Sequence, residues 1–239
     1  MNRSLRKKLA RAIIIDRATW GDKSAIGRIA RERTEENYRF ASRFVRGMRV
    51  LDVGGGAGIG QDLLLASGAV SIVSLDRQQA IARPDRDARI ETIEGDFLTY
   101  PLPDAQFDVV ICLGTLFYLS DVDAALAKMN RVLAASGTLI VNCINQRLVR
   151  RYFGMRLDEI DTKFSTAFEE AGFRTCLKGH FGTEPELFVQ QPVRHSGSLL
   201  DGILVWLTPF TWPLRRHPVV PRKAGEEGMY LYGVVHKAA

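Results

Sequence analysis

Short apolar runs alternate with longer amphipathic stretches through the middle of the chain. Several of the runs are almost continuously apolar, as expected for strands that are covered on both faces. The apolar runs occupy residues 49–54, 70–76, 89–96, 107–114 and 137–144. The stretches at 58–68 and 121–137 have helical character, and the second opens on the acidic cap candidate Asp121 and closes at Gly137. This alternation predicts an α/β fold with a mostly parallel sheet and helices on both faces.

The two ends of the chain are less regular than its middle. The first part is predicted to be helical, because Leu5, Leu9 and Ile13 form one apolar stripe opposite a basic cluster. Near the other end, the pattern predicts a helix that ends at Gly172. Strands are predicted to follow at 173–181 and, last in the chain, at 228–237.

A long connection separates the last two predicted strands. A connection of that length in a compact domain is usually a lid or a binding insertion. With 239 residues, the chain has the size of one large α/β domain. We therefore predict four consecutive parts: a helical segment at 1–48, a core at 49–182, an insertion or lid at 183–227 and the last core strand at 228–239.

The composition is that of an ordinary soluble globular protein. Apolar residues make up 46% of the chain and charged residues 25%, which excludes a disordered or collagen-like chain. Cys112, Cys143 and Cys176 lie apart in apolar stretches, so we expect buried thiols in a reducing compartment and no metal site. The apolar patches at 12–15 and 199–214 are too short for a signal peptide core and a spanning helix. These features predict a cytoplasmic protein.

The net charge of +6 comes largely from two basic clusters, at residues 3–11 and 215–223. Such clusters attract nucleic acid, anionic lipid or phosphorylated substrates, although a solvated basic face is the commoner case. Together with the apolar run at 199–214, they also suit peripheral contact with the inner membrane surface. Charge alone does not decide among these partners.

A glycine-rich turn, VLDVGGGAGIG, gives the sharpest chemical signal in the chain. Glycines let the backbone turn tightly and approach a ligand without a Cβ in the way. The dinucleotide pattern GxGxxG does not fit, because Ile59 stands where its third glycine belongs, and no Gly-Lys-Ser or Gly-Lys-Thr follows for a phosphate-binding loop. The pattern that fits is DxGxGxG, formed by Asp52, Gly54, Gly56 and Gly58.

This motif, with others in the same order along residues 36–176, resembles the class I S-adenosylmethionine-dependent methyltransferases. The resemblance implies a Rossmann-like fold with a seven-stranded sheet and an antiparallel last strand. It also implies S-adenosyl-L-methionine as cofactor and S-adenosyl-L-homocysteine as product. The residues that it places at the cofactor are Tyr38, Asp52, Gly54, Gly55, Gly56, Gly58, Asp76, Arg77, Asp96, Phe97, Leu113 and Gly114.

The resemblance also implies a role for several of these side chains. Asp76 would bind the two ribose hydroxyls, Asp96 the adenine amino group, and Phe97 would line the adenine ring. Tyr38 would close the pocket, and Asp52 would reach the methionyl amino group. Purely structural roles remain open: Asp52 as a partner of the glycine turn, Asp76 as a strand-end cap, and Asp96 with Phe97 as loop and core.

The sequence does not identify a general base. In many members of the family a His follows the fourth strand, but FYLSD stands there in this chain, with Tyr118 at the corresponding position. His180 and His195 are the other candidates, although each is more often a surface or packing histidine. No His, Asp and Glu residues are grouped at metal-ligand spacing, so we expect no catalytic metal.

A small-molecule acceptor such as a sugar, a lipid-linked molecule or another metabolite is the predicted substrate. An RNA or protein methyltransferase and a non-catalytic adenosylmethionine-binding protein are the alternatives. Nucleic acid is disfavoured, because no NPPY or DPPY motif follows the fourth strand. The oligomeric state does not follow from the sequence.

Overall fold

The central feature of the fold is one twisted sheet. The computed structural model describes residues 3–14, 25–56, 58–78, 87–194, 218–223 and 226–238. Within these residues the sheet has eight strands, in the order β3-β2-β1-β4-β5-β8-β6-β7. The strands are β1 (Arg49–Val53), β2 (Ser71–Asp76), β3 (Ile90–Glu94), β4 (Phe107–Cys112), β5 (Leu133–Ile144), β6 (Glu186–Arg194), β7 (Val220–Pro221) and β8 (Glu226–His236).

The first five strands are parallel, which confirms the predicted α/β class. Strand β8 runs antiparallel to both β5 and β6, and β7 pairs antiparallel with β6. The expected count of seven strands is therefore wrong, because the short strand β7 adds an eighth at the edge of the sheet.

Helices cover both faces of the sheet. They are α1 (Arg3–Ile14), α2 (Ala25–Ala41), α3 (Gln61–Ala66), α4 (Val122–Val132), α5 (Gln146–Phe153), α6 (Leu157–Ile160) and α7 (Glu170–Phe181). One buried cluster joins the sheet to α2, α3 and α5, with Phe40, Leu64 and Val149 among its members. The other joins it to α4 and α7 through residues such as Leu126 and Leu177. Two separate apolar cores explain why the central strands are apolar on both faces.

The predicted strand at 173–181 is wrong, because these residues belong to α7. Phe173, Leu177 and Phe181 recur every four residues and are all buried, which is the spacing of one helix face. Gly172 lies inside this helix, and the helix ends at Gly182, which adopts the left-handed conformation with φ of +75°. The predicted helix before it is reduced to the single turn α6 and the start of α7.

The helix predicted at 121–137 ends earlier than expected. Helix α4 stops at Val132, and β5 begins at Leu133, which pairs with Phe107 of β4. Asp121 caps α4 as predicted, since its side chain accepts a hydrogen bond from the backbone N–H of Ala124.

Strand β6 and the short β7 lie within 183–227, the range predicted as an insertion or lid. Because β6 runs antiparallel to β8, and β8 antiparallel to β5, β6 ends at the same edge of the sheet as β1, β4 and β5. Arg194, the last residue of β6, therefore lies at this edge. His195 and the apolar run at 199–214 lie outside the described residues.

The first 48 residues contain α1 and α2, which agrees with the helical prediction, while the Leu5, Leu9 and Ile13 side chains lie outside the described part. Some cations of the first basic cluster are paired, since Arg3 and Arg11 contact Glu159 and Asp161 at 2.7 and 3.3 Å. No described helix is both long enough and apolar enough to span a bilayer.

Candidate active site

The glycine-rich turn joins β1 to α3 at the carboxyl edge of the sheet. Gly54, Gly56 and Gly58 have φ values of +76°, +54° and +74°, in the left-handed region that only glycine adopts without strain. The Gly54 amide donates a 2.8 Å hydrogen bond to the carbonyl of Leu75, which ties the turn to β2. A Cβ on Gly55 would lie 2.2 Å from the Ser74 hydroxyl, so close packing also requires glycine there.

Asp52, on β1 just before this turn, is a buried carboxylate with 1% of its surface exposed. The Tyr38 hydroxyl lies 3.0 and 2.9 Å from its two oxygens and donates its single proton to this carboxylate. Gln61 Nε2 donates to the carboxylate at 3.4 Å and to the Ser74 hydroxyl at 2.6 Å. Burial raises the pKa of Asp52 from 3.8 to about 6, against the opposing effect of the Tyr38 and Gln61 hydrogen bonds.

Tyr38 connects α2 to the glycine turn. Its ring lies against Gly60, where a Cβ would come within 1.8 Å of the ring carbon Cγ. Burial, followed by the charge of Asp52, raises the pKa of Tyr38 well above its ordinary value, so the phenol keeps its proton. Helix α2 therefore covers the turn and supplies a fixed hydrogen-bond donor to Asp52.

Asp76 ends β2 and faces the same turn. One carboxylate oxygen accepts a hydrogen bond from the Gly56 amide at 3.0 Å, and the other accepts from the Gln78 amide at 2.8 Å. These bonds orient the carboxylate and leave each oxygen with further acceptor capacity.

Asp96 follows β3, one strand further along the edge. It accepts a hydrogen bond from the Leu98 amide at 2.9 Å and lies 4.0 Å from a guanidinium nitrogen of Arg77. The Phe97 ring is buried, with Lys128 Nζ at 5.0 Å from the ring centroid. Its ring thus packs into the core and supports this end of the site from behind.

The end of β4 closes on the glycine turn from the other side. Gly114 has φ of +73°, and a Cβ there would meet no atom of the described part of the chain within 4 Å. Its amide donates a 2.7 Å hydrogen bond to Asn142 on β5, and the preceding Leu113 is buried. The next residue, Thr115, packs so closely on Gly54 that a Cβ at Gly54 would overlap its side chain.

The two candidate bases that the structure describes lie in different places. Tyr118 belongs to the turn after β4 and packs against Phe117 and Phe164, with ring centroids 4.9 and 5.1 Å apart. His180 lies on α7, and its Nε2 is 3.0 Å from a carboxylate oxygen of Asp123 on α4. The fold therefore brings the His180 side chain to α4. His195 lies outside the described part of the chain.

Comparisons with known proteins agree with this architecture. A methyltransferase-domain family model matches residues 51–141, which include the glycine turn, Asp76, Asp96 and Gly114. A "Probable S-adenosylmethionine-dependent methyltransferase" from Mycobacterium tuberculosis is 29% identical over 173 residues, which cover 69% of this chain and 62% of that protein. The domain match, this relative and the fold together support a class I S-adenosylmethionine-dependent methyltransferase.

Two further proteins resemble this chain. A ubiquinone/menaquinone biosynthesis C-methyltransferase from Shewanella sp. is 28% identical over 146 residues, covering 52% of this chain and 57% of its own length. A Thermotoga maritima crystal structure described as a "possible histamine N-methyltransferase" superimposes with a TM-score of 0.63 and 18% identity, covering 87% and 91% of the two chains. The matches span about six-tenths of the length of the curated relatives, and the solved structure supports the fold alone.

The residues at this edge fit the cofactor of the family. S-adenosylmethionine carries an ammonium group, a ribose diol and an adenine amino group, all of which donate hydrogen bonds. The site offers three carboxylate acceptors, Asp52, Asp76 and Asp96, along the ends of adjacent strands. Among the described residues, a Cβ at Gly56 would meet only the Gly54 carbonyl oxygen, at 4.0 Å, so these residues leave room for a ligand there, as at Gly114.

Sequence reasoning missed several residues that shape the site. Gln61 and Ser74 support Asp52 from α3 and β2, and Asn142 holds the Gly114 amide. The Gln61 Oε1 atom is buried and has no hydrogen-bond partner among the described residues. The sequence pattern places Gln61 at the start of a helix and Ser74 and Asn142 in strands. The neighbouring residues in the sequence do not indicate which side chain or amide each of the three would contact.

Proposed function

We propose that this protein transfers a methyl group from S-adenosylmethionine to a small-molecule acceptor. The observation that carries the proposal is the buried Asp52 carboxylate beside the glycine turn. This carboxylate is largely ionised at neutral pH and accepts hydrogen bonds from the neutral groups of Tyr38 and Gln61, so it is complementary to the ammonium group of the cofactor.

The assignment of individual residues follows from their acceptor atoms. Asp52 would accept hydrogen bonds from the methionyl ammonium group, Asp76 from the ribose hydroxyls, and Asp96 from the adenine amino group. Gly56 and Gly114 would allow close approach of the backbone, and Tyr38 would hold Asp52 in place. Arg77 pairs with Asp96 and would orient it, while Phe97 and Leu113 form the apolar support.

Methyl transfer asks little chemistry of the protein itself. When bound, S-adenosylmethionine supplies a methyl group that the positively charged sulfur already activates. The chain's residues then have to align the acceptor and exclude water. If the acceptor is a hydroxyl, Tyr118 is better placed as a base than His180, the other described candidate, because it lies four residues after Gly114 on the turn that follows β4.

A small-molecule acceptor is supported by a curated relative. The Shewanella C-methyltransferase is named for ubiquinone and menaquinone biosynthesis. We further propose that the chain between β6 and β7 contributes acceptor contacts, because β6 delivers it to the edge of the sheet that carries Asp52. Deleting 199–214 should then leave cofactor binding intact and abolish transfer, and an unchanged transfer rate in a folded deletion variant would contradict this assignment.

Two measurements test the proposed function. Titration calorimetry with S-adenosylhomocysteine should show binding to the native protein and to Asp62→Asn, which changes an exposed carboxylate on α3, but weak binding to Asp76→Asn. Incubation with methyl-labelled S-adenosylmethionine and a fractionated cell extract should place label in the small-molecule or lipid fraction, and Asp76→Asn should reduce it strongly.

Other outcomes select the alternatives. Label in RNA or protein would favour a macromolecular acceptor. Cofactor binding without any labelled product would favour a non-catalytic binding protein. Absence of cofactor binding by the folded native protein would overturn the proposal altogether.

A further inference from the structure

Three metal-ligating side chains meet on the helix layer formed by α4 and α7. Asp123 lies in the first turn of α4, and Cys176 and His180 lie one turn apart on α7. One ligand atom from each residue lies within 4.8 Å of the other two. His180 Nε2 is 3.0 Å from a carboxylate oxygen of Asp123.

We propose that Asp123, Cys176 and His180 form a binding site for a divalent transition-metal ion of the zinc type. A thiolate, an imidazole and a carboxylate are all common zinc ligands, and three protein ligands leave one position for water. The thiolate and imidazole disfavour Mg²⁺ and Ca²⁺, which prefer oxygen ligands. Binding would release the Cys176 thiol proton to solvent, and the thiolate and carboxylate together would balance the charge of the ion.

The packing of the two helices holds the ligands near one another before any metal binds. Leu126 and Met129 of α4 and Leu177 of α7 are buried in the same core cluster. The Asn130 side chain also donates a 2.5 Å hydrogen bond to the His180 carbonyl, which fixes α7 against α4. A rigid, preformed arrangement of ligands lowers the ordering cost of metal binding.

Cys176 distinguishes a metal site from a simple hydrogen bond between His180 and Asp123. The contact between His180 and Asp123 is complete as a hydrogen bond, and it needs neither a metal nor the cysteine. A metal site requires the sulfur, whose side chain is half-buried, whereas Cys112 and Cys143 are fully buried. The proposed site is also independent of the proposed methyl transfer, because it shares no residue with the glycine turn or the strand-end carboxylates.

The test uses full-length, tag-free protein that has been reduced and stripped of metal with a chelator. Titration with Co²⁺ should give one equivalent of binding and a near-ultraviolet sulfur-to-metal charge-transfer band. Cys176→Ser should remove the band and weaken Zn²⁺ binding by about 100-fold. Loss of a residue that only hydrogen-bonds to a metal ligand already lowers metal affinity by about 10- to 100-fold. Asp123→Asn should weaken Zn²⁺ binding by about 10-fold or more.

Matched controls change similar groups elsewhere. Glu184→Gln removes a carboxylate that pairs with Arg174 and Lys178 of α7, and His236→Gln removes a histidine that pairs with Thr138. Both should bind Zn²⁺ and Co²⁺ like the native protein. The proposal is overturned if Co²⁺ gives no charge-transfer band, or if Cys176→Ser keeps the band.

A second measurement uses the native protein and needs no variant. Cys176 is the only cysteine of the three that is not fully buried, so a maleimide should modify it first in the native protein. Zn²⁺ at saturating concentration should slow this reaction at least about tenfold, as read by peptide mass spectrometry. An unchanged rate of modification with Zn²⁺ would also overturn the site.

Discussion

Replacing Asp52 with asparagine should stabilise the free protein and at the same time weaken cofactor binding. Folding raises the pKa of this carboxyl from 3.8 to about 6, mainly through burial. Between about pH 4 and pH 6 the folded protein therefore holds a proton that the unfolded chain has released, and stability falls as the pH rises. Above this window the buried charge costs up to about 3 kcal/mol, because each pKa unit corresponds to about 1.4 kcal/mol.

The Asp52→Asn variant removes this charge without changing the size of the side chain. The new amide oxygen can accept the Tyr38 hydroxyl proton. The new amino group would face Gln61 Nε2, so we expect the Gln61 amide to turn over and present Oε1, which has no partner among the described residues, as the acceptor. We expect a gain of about 1 to 3 kcal/mol in the free energy of unfolding at pH 8, or about 2 to 12 °C in Tm. The gain should shrink between pH 6 and pH 4 and be absent below pH 4.

Urea denaturation of the two proteins from pH 4 to pH 8 measures the stability effect, and calorimetry with S-adenosylhomocysteine measures binding. Binding should weaken by about 2 to 3 kcal/mol, roughly 30- to 150-fold, because the ammonium group loses a charged acceptor. Asp62→Asn serves as the control for a change of charge at an exposed site near the same turn.

The two effects have opposite signs, which makes the outcome decisive. If Asp52 mainly held the glycine turn together, the variant would be less stable than the native protein at pH 8. If the variant were more stable but bound the ligand with native affinity, the assignment of Asp52 to the ammonium group would be wrong.

Three further substitutions test the neighbouring contacts. Tyr38→Phe removes a hydrogen bond that lowers the Asp52 pKa, so this pKa should rise further and less of the carboxyl should be ionised at pH 7. Calorimetry should show S-adenosylhomocysteine binding about 1 kcal/mol weaker at pH 7, and the binding should recover towards pH 8 as the carboxyl ionises. Gly60→Ala places a methyl group 1.8 Å from the Tyr38 ring, so urea denaturation should show that the free energy of unfolding falls by about 1 to 3 kcal/mol. If the variant kept the native stability, the ring would be free to move away, and the close packing would not be required. Asp76→Asn should weaken S-adenosylmethionine and S-adenosylhomocysteine by the same factor, about 30-fold by calorimetry, because both carry the ribose, and unequal losses would refute ribose binding.

Much of the fold and of the candidate site could be predicted from local patterns. The strands from 49 to 144 are short apolar runs bounded by glycines and charges, and this pattern depends only on neighbouring residues. The glycine turn and Asp52 are contiguous, and Asp76 and Asp96 stand at strand ends. In a parallel sheet, strand ends meet at one edge, so these carboxylates could be placed together without coordinates.

Prediction from local patterns failed where a helix and a strand could have the same apolar composition. The segment 173–181 is apolar enough for a strand, but the fourfold spacing of Phe173, Leu177 and Phe181 packs one helix face onto the sheet. Gly172 suggested a helix end, yet burial of α7 against α4 outweighs the cost of a glycine inside a helix. Strand β6 was hidden for a related reason, because its pairing partner β8 lies far along the chain.

Contacts between residues distant in sequence depend on the tertiary structure. The sequence shows that Asp52 adjoins a glycine turn, but its pKa is raised by burial and partly lowered again by the Tyr38 hydrogen bond, which packing of α2 supplies. In the same way, the spacing of Cys176 and His180 is visible in the sequence, while Asp123 reaches them only because α4 and α7 pack side by side. Desolvation and ligand geometry are set by three-dimensional neighbours, and a linear pattern does not contain them.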